Sequence, residues 1–171
     1  GVSSLDLDKL ANEFIEKNGD KPAFLGYKGE YDKEPYPATI SVSVNDEVVH
    51  GEPTKNPRIF KEGDIVSLDA GLIHEGLYTD SAVTIGVGKI SEDAQKLIKV
   101  TKMSLQKGIK AVKVGGATGD IGYAIEKYVK SAAAYYYLQV VQRVGRLPAL
   151  CLRYHHVYGF VRDQRLHVRL D

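Results

Sequence analysis

Apolar residues fall into two alternating rhythms along the chain. Leu7, Leu10, Ala11, Phe14 and Ile15 recur at three- and four-residue steps, the spacing of one helix face, and Ser4 offers an N-capping oxygen just before them. Gly19-Asp20-Lys21-Pro22 ends that helix. Residues 29–37, rich in Gly, Asp, Pro and Tyr, predict a loop. Thr39 to Val44 then alternates with a period of two, Asn45-Asp46 turns the chain, and Val48-Val49-His50 returns as a partner strand. After a second loop over 51–63, Ile65 to Ile73 and Leu77 to Val87 predict a hairpin around His74-Glu75-Gly76. Ser91 caps a further helix with the stripe Leu97, Ile98, Thr101, Leu105, Ile109 and Val112. Gly115-Gly116 breaks it, and Thr118 opens another with Ile121, Ile125, Tyr128 and Val129 on one face. Strands that come as hairpins, not as βαβ units, predict an α+β fold.

The chain has 171 residues, 43% of them hydrophobic, which is enough for one domain with its own core. Its composition changes near residue 131. Residues 1–130 hold 16 Lys, one Arg and 20 acids, a net charge of −3. Residues 131–171 hold no Lys, six Arg and two acids, a net charge of +4, after the run Ala132-Ala133-Ala134-Tyr135-Tyr136-Tyr137. The expectation is a domain over 1–130 and an Arg/Tyr-rich segment over 131–171 that is of separate origin or packs on that domain.

A formal charge of +1 gives no electrostatic reason to expect nucleic acid or a membrane surface as partner. The six arginines are spread among Leu, Val and Tyr, which makes a poor nucleic-acid patch. Cys151 is the one cysteine, so no intrachain disulfide forms, and its neighbours Pro148, Leu150 and Leu152 read as a small buried hydrophobe's setting. No apolar run reaches the roughly 20 residues that span a bilayer. Asp6, Asp8 and Lys9 stand where a signal peptide would be apolar. The start at Gly1, with a helix signal almost at once, reads as a chain from which a leading segment is missing.

Asp69 and Asp80 carry the strongest chemical signal. Each interrupts an apolar strand, and their midpoint falls in the predicted turn, so a regular hairpin would set them directly opposite on one face. Opposed Cβ atoms lie about 4.5–5.5 Å apart. Two bare carboxylates at that distance repel. A shared proton, a basic partner, or one or two divalent cations would each compensate, and hard oxygen donors suit Mn, Fe, Co, Mg or Zn. The plain structural alternative is one exposed Asp, or a bulge that sets the pair out of register. His50, at a loop rim before Gly51, is a candidate hydrogen-bond donor or acid–base group. His74 reads as solvated. Gly115 to Asp120 lacks the Lys-Ser/Thr of a phosphate loop, and neither a nucleophile elbow nor His-Glu-x-x-His occurs.

Several stretches together resemble the type I methionine aminopeptidases. They are Lys21-Pro22-Ala23-Phe24-Leu25-Gly26-Tyr27, Ser41 to Gly51 with Asn45-Asp46-Glu47 and His50-Gly51, Lys61 to Gly71, Gly76 to Ala82, and Gly119 to Ile125. The resemblance covers about residues 2–130. It implies the pita-bread fold, a cytoplasmic location and removal of the initiator methionine from nascent polypeptides by metal-hydroxide hydrolysis. It implies two divalent ions of the Mn, Fe, Co or Zn class, with Asp69 and Asp80 as two of five ligands. His50 would lie in the substrate pocket near the scissile peptide, and Phe24 and Tyr27 in the segment lining the methionine pocket.

The sequence departs from that pattern at its end. The family's third ligand is a His in Gly-His-Gly after Gly-Phe-x-Val-Arg-Asp. Here Gly159-Phe160-Val161-Arg162-Asp163 leads to His167 without the glycines. The two later glutamates have no counterpart, because no Glu follows Glu126. The alternative expectation is therefore a truncated or noncatalytic pita-bread-like binding module. Sheet left uncovered in such a chain would favour self-association.

Overall fold

The computed structural model describes residues 1–132. Among them the elements run α1 (Ser4–Lys17), β1 (Lys21–Pro22), β2 (Ile40–Val44), β3 (Ile65–His74), β4 (Leu77–Gly86), α2 (Glu92–Ala111) and α3 (Thr118–Ser131). The segment from 133 onward, with Cys151 and His167, lies outside the described residues. The chain divides into two compact units, Gly1–Gln95 and a second that begins at Lys96.

In the first unit all strand pairs are antiparallel, as the α+β reading expects. β3 is central: β4 runs along one of its edges, and β1 and β2 share the other. Period-two alternation separates two chemistries. Ile40, Val42, Val44 and Val66 form the core on one face, with Leu7 and Ala11 of α1, Leu68 and Ala70 packed against them. Full burial of each such valine contributes about 1.5–3 kcal/mol. The opposite face carries Ser41, Ser43, Ser67, Asp69 and Gly71 of β2 and β3, and Asp80, Ala82 and Thr84 of β4. The Ser67 and Thr84 hydroxyls bond across the strands at 2.8 Å.

Three local expectations are corrected. Ser3, not Ser4, caps α1: its Oγ accepts the Asp6 N–H at 3.2 Å, and Asp6 Oδ2 accepts the Ser3 N–H at 2.8 Å. Ser4 is buried instead, and its hydroxyl accepts the Arg58 N–H at 2.9 Å. The inward side of α1 carries Leu7, Ala11 and Ile15 of the predicted stripe together with Ser4 and Asp8, while Leu10 and Phe14 are exposed. Asp8 belongs there because its Oδ1 accepts the N–H groups of Thr39 and Ile40, at 2.8 and 3.0 Å, where the chain enters β2. Finally, Val48-Val49-His50 forms no strand. The outer edge of β2 is met by Gly51, whose carbonyl accepts the Val42 N–H at 3.0 Å.

In the second unit α2 and α3 meet at Val100 and Val129, with Ile125 and Tyr128 beside them. Ser104 and Gly108 are buried on that face of α2. The predicted stripe is displaced, since Leu105, Ile109 and Val112 are exposed. Gly108 decides this, because a Cβ there would collide with Ile125, so the small residues take the close contact. No helix among the described residues is long and apolar enough to cross a membrane.

Candidate functional site

The β3–β4 hairpin turns on two residues only, Glu75 and Gly76, with φ of 48° and 84°. Positive φ at both positions is the signature of a type I′ turn, whose twist matches its strands. This short loop moves the centre of the hairpin one residue beyond the predicted position. Asp69 therefore pairs with Ala82, and Asp80 pairs with Gly71. The two aspartates are not directly opposed, which corrects that expectation. They remain on one face as diagonal neighbours, a relation with Cβ atoms about 7–8 Å apart or somewhat less. The wider spacing eases their repulsion and leaves more room for a cation between them. Asp69 is half-buried and Asp80 is exposed.

An aromatic pair sits on the same face. The Phe24 ring covers Gly71, the cross-strand partner of Asp80: a Cβ at Gly71 would lie 2.7 Å from the ring. The backbone holds the ring there, since the Ala23 N–H donates to the Gly71 carbonyl at 2.9 Å. Tyr36 meets Phe24 edge-on, with ring centroids 6.4 Å apart and planes at 89°. Its hydroxyl donates to the Gly51 carbonyl at 2.9 Å. Burial pushes the Tyr36 phenol up to about 12, with the carboxylates of Glu52, Asp8 and Asp69 adding to the shift and the Ser41 hydroxyl opposing it.

His50 lies beside Gly51, exposed, with a left-handed φ of 58°. Gly51 is pinned against β2, where its N–H donates to Ser43 Oγ at 3.2 Å. A side chain at 51 would overlap the Val42 carbonyl, so only glycine fits. A chain of contacts thus runs from Asp80 through Gly71, Phe24, Tyr36 and Gly51 to His50. Tyr27 enters this cluster through its backbone, accepting the Tyr36 N–H at 2.7 Å, while its side chain is exposed. His74 is not simply solvated: its Nδ1 lies 2.7 Å from Asp20 Oδ1. Tyr36 and Ser41 are site residues that sequence reasoning passed over. The loop over 29–37 holds two tyrosines, and no local pattern separates Tyr36 from Tyr31, which is exposed.

A family model for metallopeptidase family M24 matches residues 1–165. The chain belongs to this family. It is 47% identical over 131 residues to the methionine aminopeptidase of Clostridium acetobutylicum, covering 77% of this chain and 50% of that protein. It is 48% identical over 132 residues to the methionine aminopeptidase of Aquifex aeolicus, covering 75% and 51%. The crystal structure of the Thermotoga maritima methionine aminopeptidase superposes with a TM-score of 0.69 at 44% identity, covering 77% of this chain and 50% of that one. The fold is therefore the pita-bread fold, and the chain spans about half the length of the relatives it matches.

M24 membership implies divalent metal ions. Asp69 and Asp80 fit that role in kind, as hard oxygen donors sharing one polar face. Among the described residues no group of three or more His, Cys, Asp or Glu side chains converges.

Proposed function

We propose that the chain carries the metal-aspartate strands and substrate rim of a methionine aminopeptidase, which hydrolyses the peptide bond after an N-terminal methionine. The observation that carries this reading is the shared face of Asp69, Asp80 and the Phe24 ring, tied through Tyr36 to His50. Asp69 and Asp80 would hold divalent metal, two ions of the Mn, Fe, Co or Zn class by family resemblance. When bound, the metal supplies Lewis acidity for the scissile carbonyl and for water. His50 at the rim donates a hydrogen bond where charge develops on the peptide. Phe24 offers an apolar surface to the methionine side chain, and Tyr27 a second aromatic beside it. His167 would add a third ligand. The substrate is the N-terminus of nascent polypeptides and the compartment the cytoplasm, with neither nucleic acid nor membrane as partner.

A noncatalytic binding module is the second reading. It is favoured by the absence of a third converging donor among the described residues. Mass spectrometry of a Met-Ala-Ser peptide incubated with the 171-residue chain and Mn²⁺ or Co²⁺ separates the two. Metal-dependent release of methionine, lost in Asp69→Asn, is the expected result. Metal bound at the aspartates without release would overturn the enzyme reading and leave the module.

A further inference from the structure

We propose that Tyr36 is a positioning residue for His50: its phenol fixes the Gly51 carbonyl and so holds the imidazole in one orientation at the site rim. His50 has the left-handed φ of 58° that a non-glycine residue adopts only at a cost. Such a conformation persists when its neighbours over-determine it, and Gly51 supplies that constraint. Its N–H donates to Ser43 Oγ, and its carbonyl accepts from both the Val42 N–H at 3.0 Å and the Tyr36 hydroxyl at 2.9 Å. Two of these tethers come from β2. The third comes from a different segment, on a ring set edge-on against Phe24, and Phe24 itself is seated on Gly71 opposite Asp80. Tyr36 therefore adds, beside β2 itself, a second link between the aspartate face and the histidine rim.

The hydroxyl is what matters here, since Phe at 36 would keep the ring contact and lose the tether. Burial keeps the phenol protonated to about 12, so it remains a donor throughout the neutral range. The inference rests on the aminopeptidase reading only for what His50 does; the positioning itself can be tested without catalysis.

The test is NMR of the full 171-residue chain and its Tyr36→Phe variant. The His50 imidazole is assigned by the signal lost in His50→Asn. Because the aromatic ring is retained, a change at His50 reports geometry and not altered ring current. The expected result is that the His50 ring and Gly51 amide signals move toward averaged values, while His74 keeps its position. Unchanged His50 and Gly51 signals would overturn the proposal and leave Tyr36 as packing. If Tyr36→Phe does not fold, the wild type decides. A slowly exchanging Tyr36 hydroxyl proton with a cross-peak to Gly51 supports the proposal, and its absence sinks it.

Where the wild type releases methionine, Tyr36→Phe is expected to lower kcat roughly tenfold to a hundredfold with little change in KM. A loss confined to KM would make Tyr36 a substrate contact instead. A wild type that releases none counts against the aminopeptidase reading, and the NMR result still decides the role of Tyr36.

Discussion

β2 and β4 flank the same strand, yet their surroundings differ sharply. All five residues of β2 are buried, whereas every residue of β4 except Thr84 is exposed. α1 covers the apolar face of β2, Gly51 binds its outer edge, and Asp8 satisfies the N–H groups where it begins. β4 has β3 on one side and no strand among the described residues on the other. Leu77, Val83 and Ile85 lie exposed on its apolar face. The two candidate metal ligands thus sit on unequally supported strands. The half of the site with His50, Tyr36 and Asp69 is braced from within the first unit. The half with Asp80 lies on the exposed strand, which pairs with β3 alone among the described residues.

Substitutions that strike the braced side should break that contrast. Gly51→Ala is expected to have the largest effect, about 3 kcal/mol of lost stability in urea unfolding, because its methyl meets the Val42 carbonyl. Asp8→Ala should cost about 2–3 kcal/mol by leaving the Thr39 and Ile40 N–H groups without their acceptor, and Asp8→Asn less, since it keeps a carbonyl oxygen. Val42→Ala should cost about 2 kcal/mol, while Val83→Ala, at 54% exposure on β4, should stay within about 0.5 kcal/mol. Equal losses at 42 and 83 would mean that β4 is covered after all.

A further effect concerns pH. The folded chain holds the Tyr36 proton up to about 12, above the ordinary tyrosine value of 10.0. Its contribution is complete below pH 10 and is lost as pH rises from about 10 to about 12, where the unfolded chain gives up that proton first. Tyr36→Phe should flatten this part of an alkaline stability curve.

Much of this arrangement was legible in the sequence. Alternation in Ile40–Val44 and Ile65–His74 marked one apolar and one polar face, and the two interrupting aspartates fell on the polar one. Their register was misread by two residues, because Glu-Gly lacks the Asn-Gly or Asp-Gly signal of a two-residue turn. The α1 stripe held at Leu7, Ala11 and Ile15 but passed over Asp8, which looks solvent-facing until its acceptor role for Thr39 and Ile40 is known, more than 30 residues along the chain. Tyr36 was hidden likewise, since its partner Gly51 is 15 residues away across a loop. Local patterns reveal faces; contacts between loops depend on chain closure that no local pattern encodes.

The central claim is that Asp69 and Asp80 jointly hold a divalent cation. Titrating Mn²⁺ into the 171-residue chain, with paramagnetic broadening read at β3 and β4, tests it most directly. The account predicts saturable broadening centred on Asp69, Gly71, Asp80 and Ala82, weakened at least about tenfold in affinity by either Asp69→Asn or Asp80→Asn. Broadening that is absent, or that survives in the double variant, would contradict it.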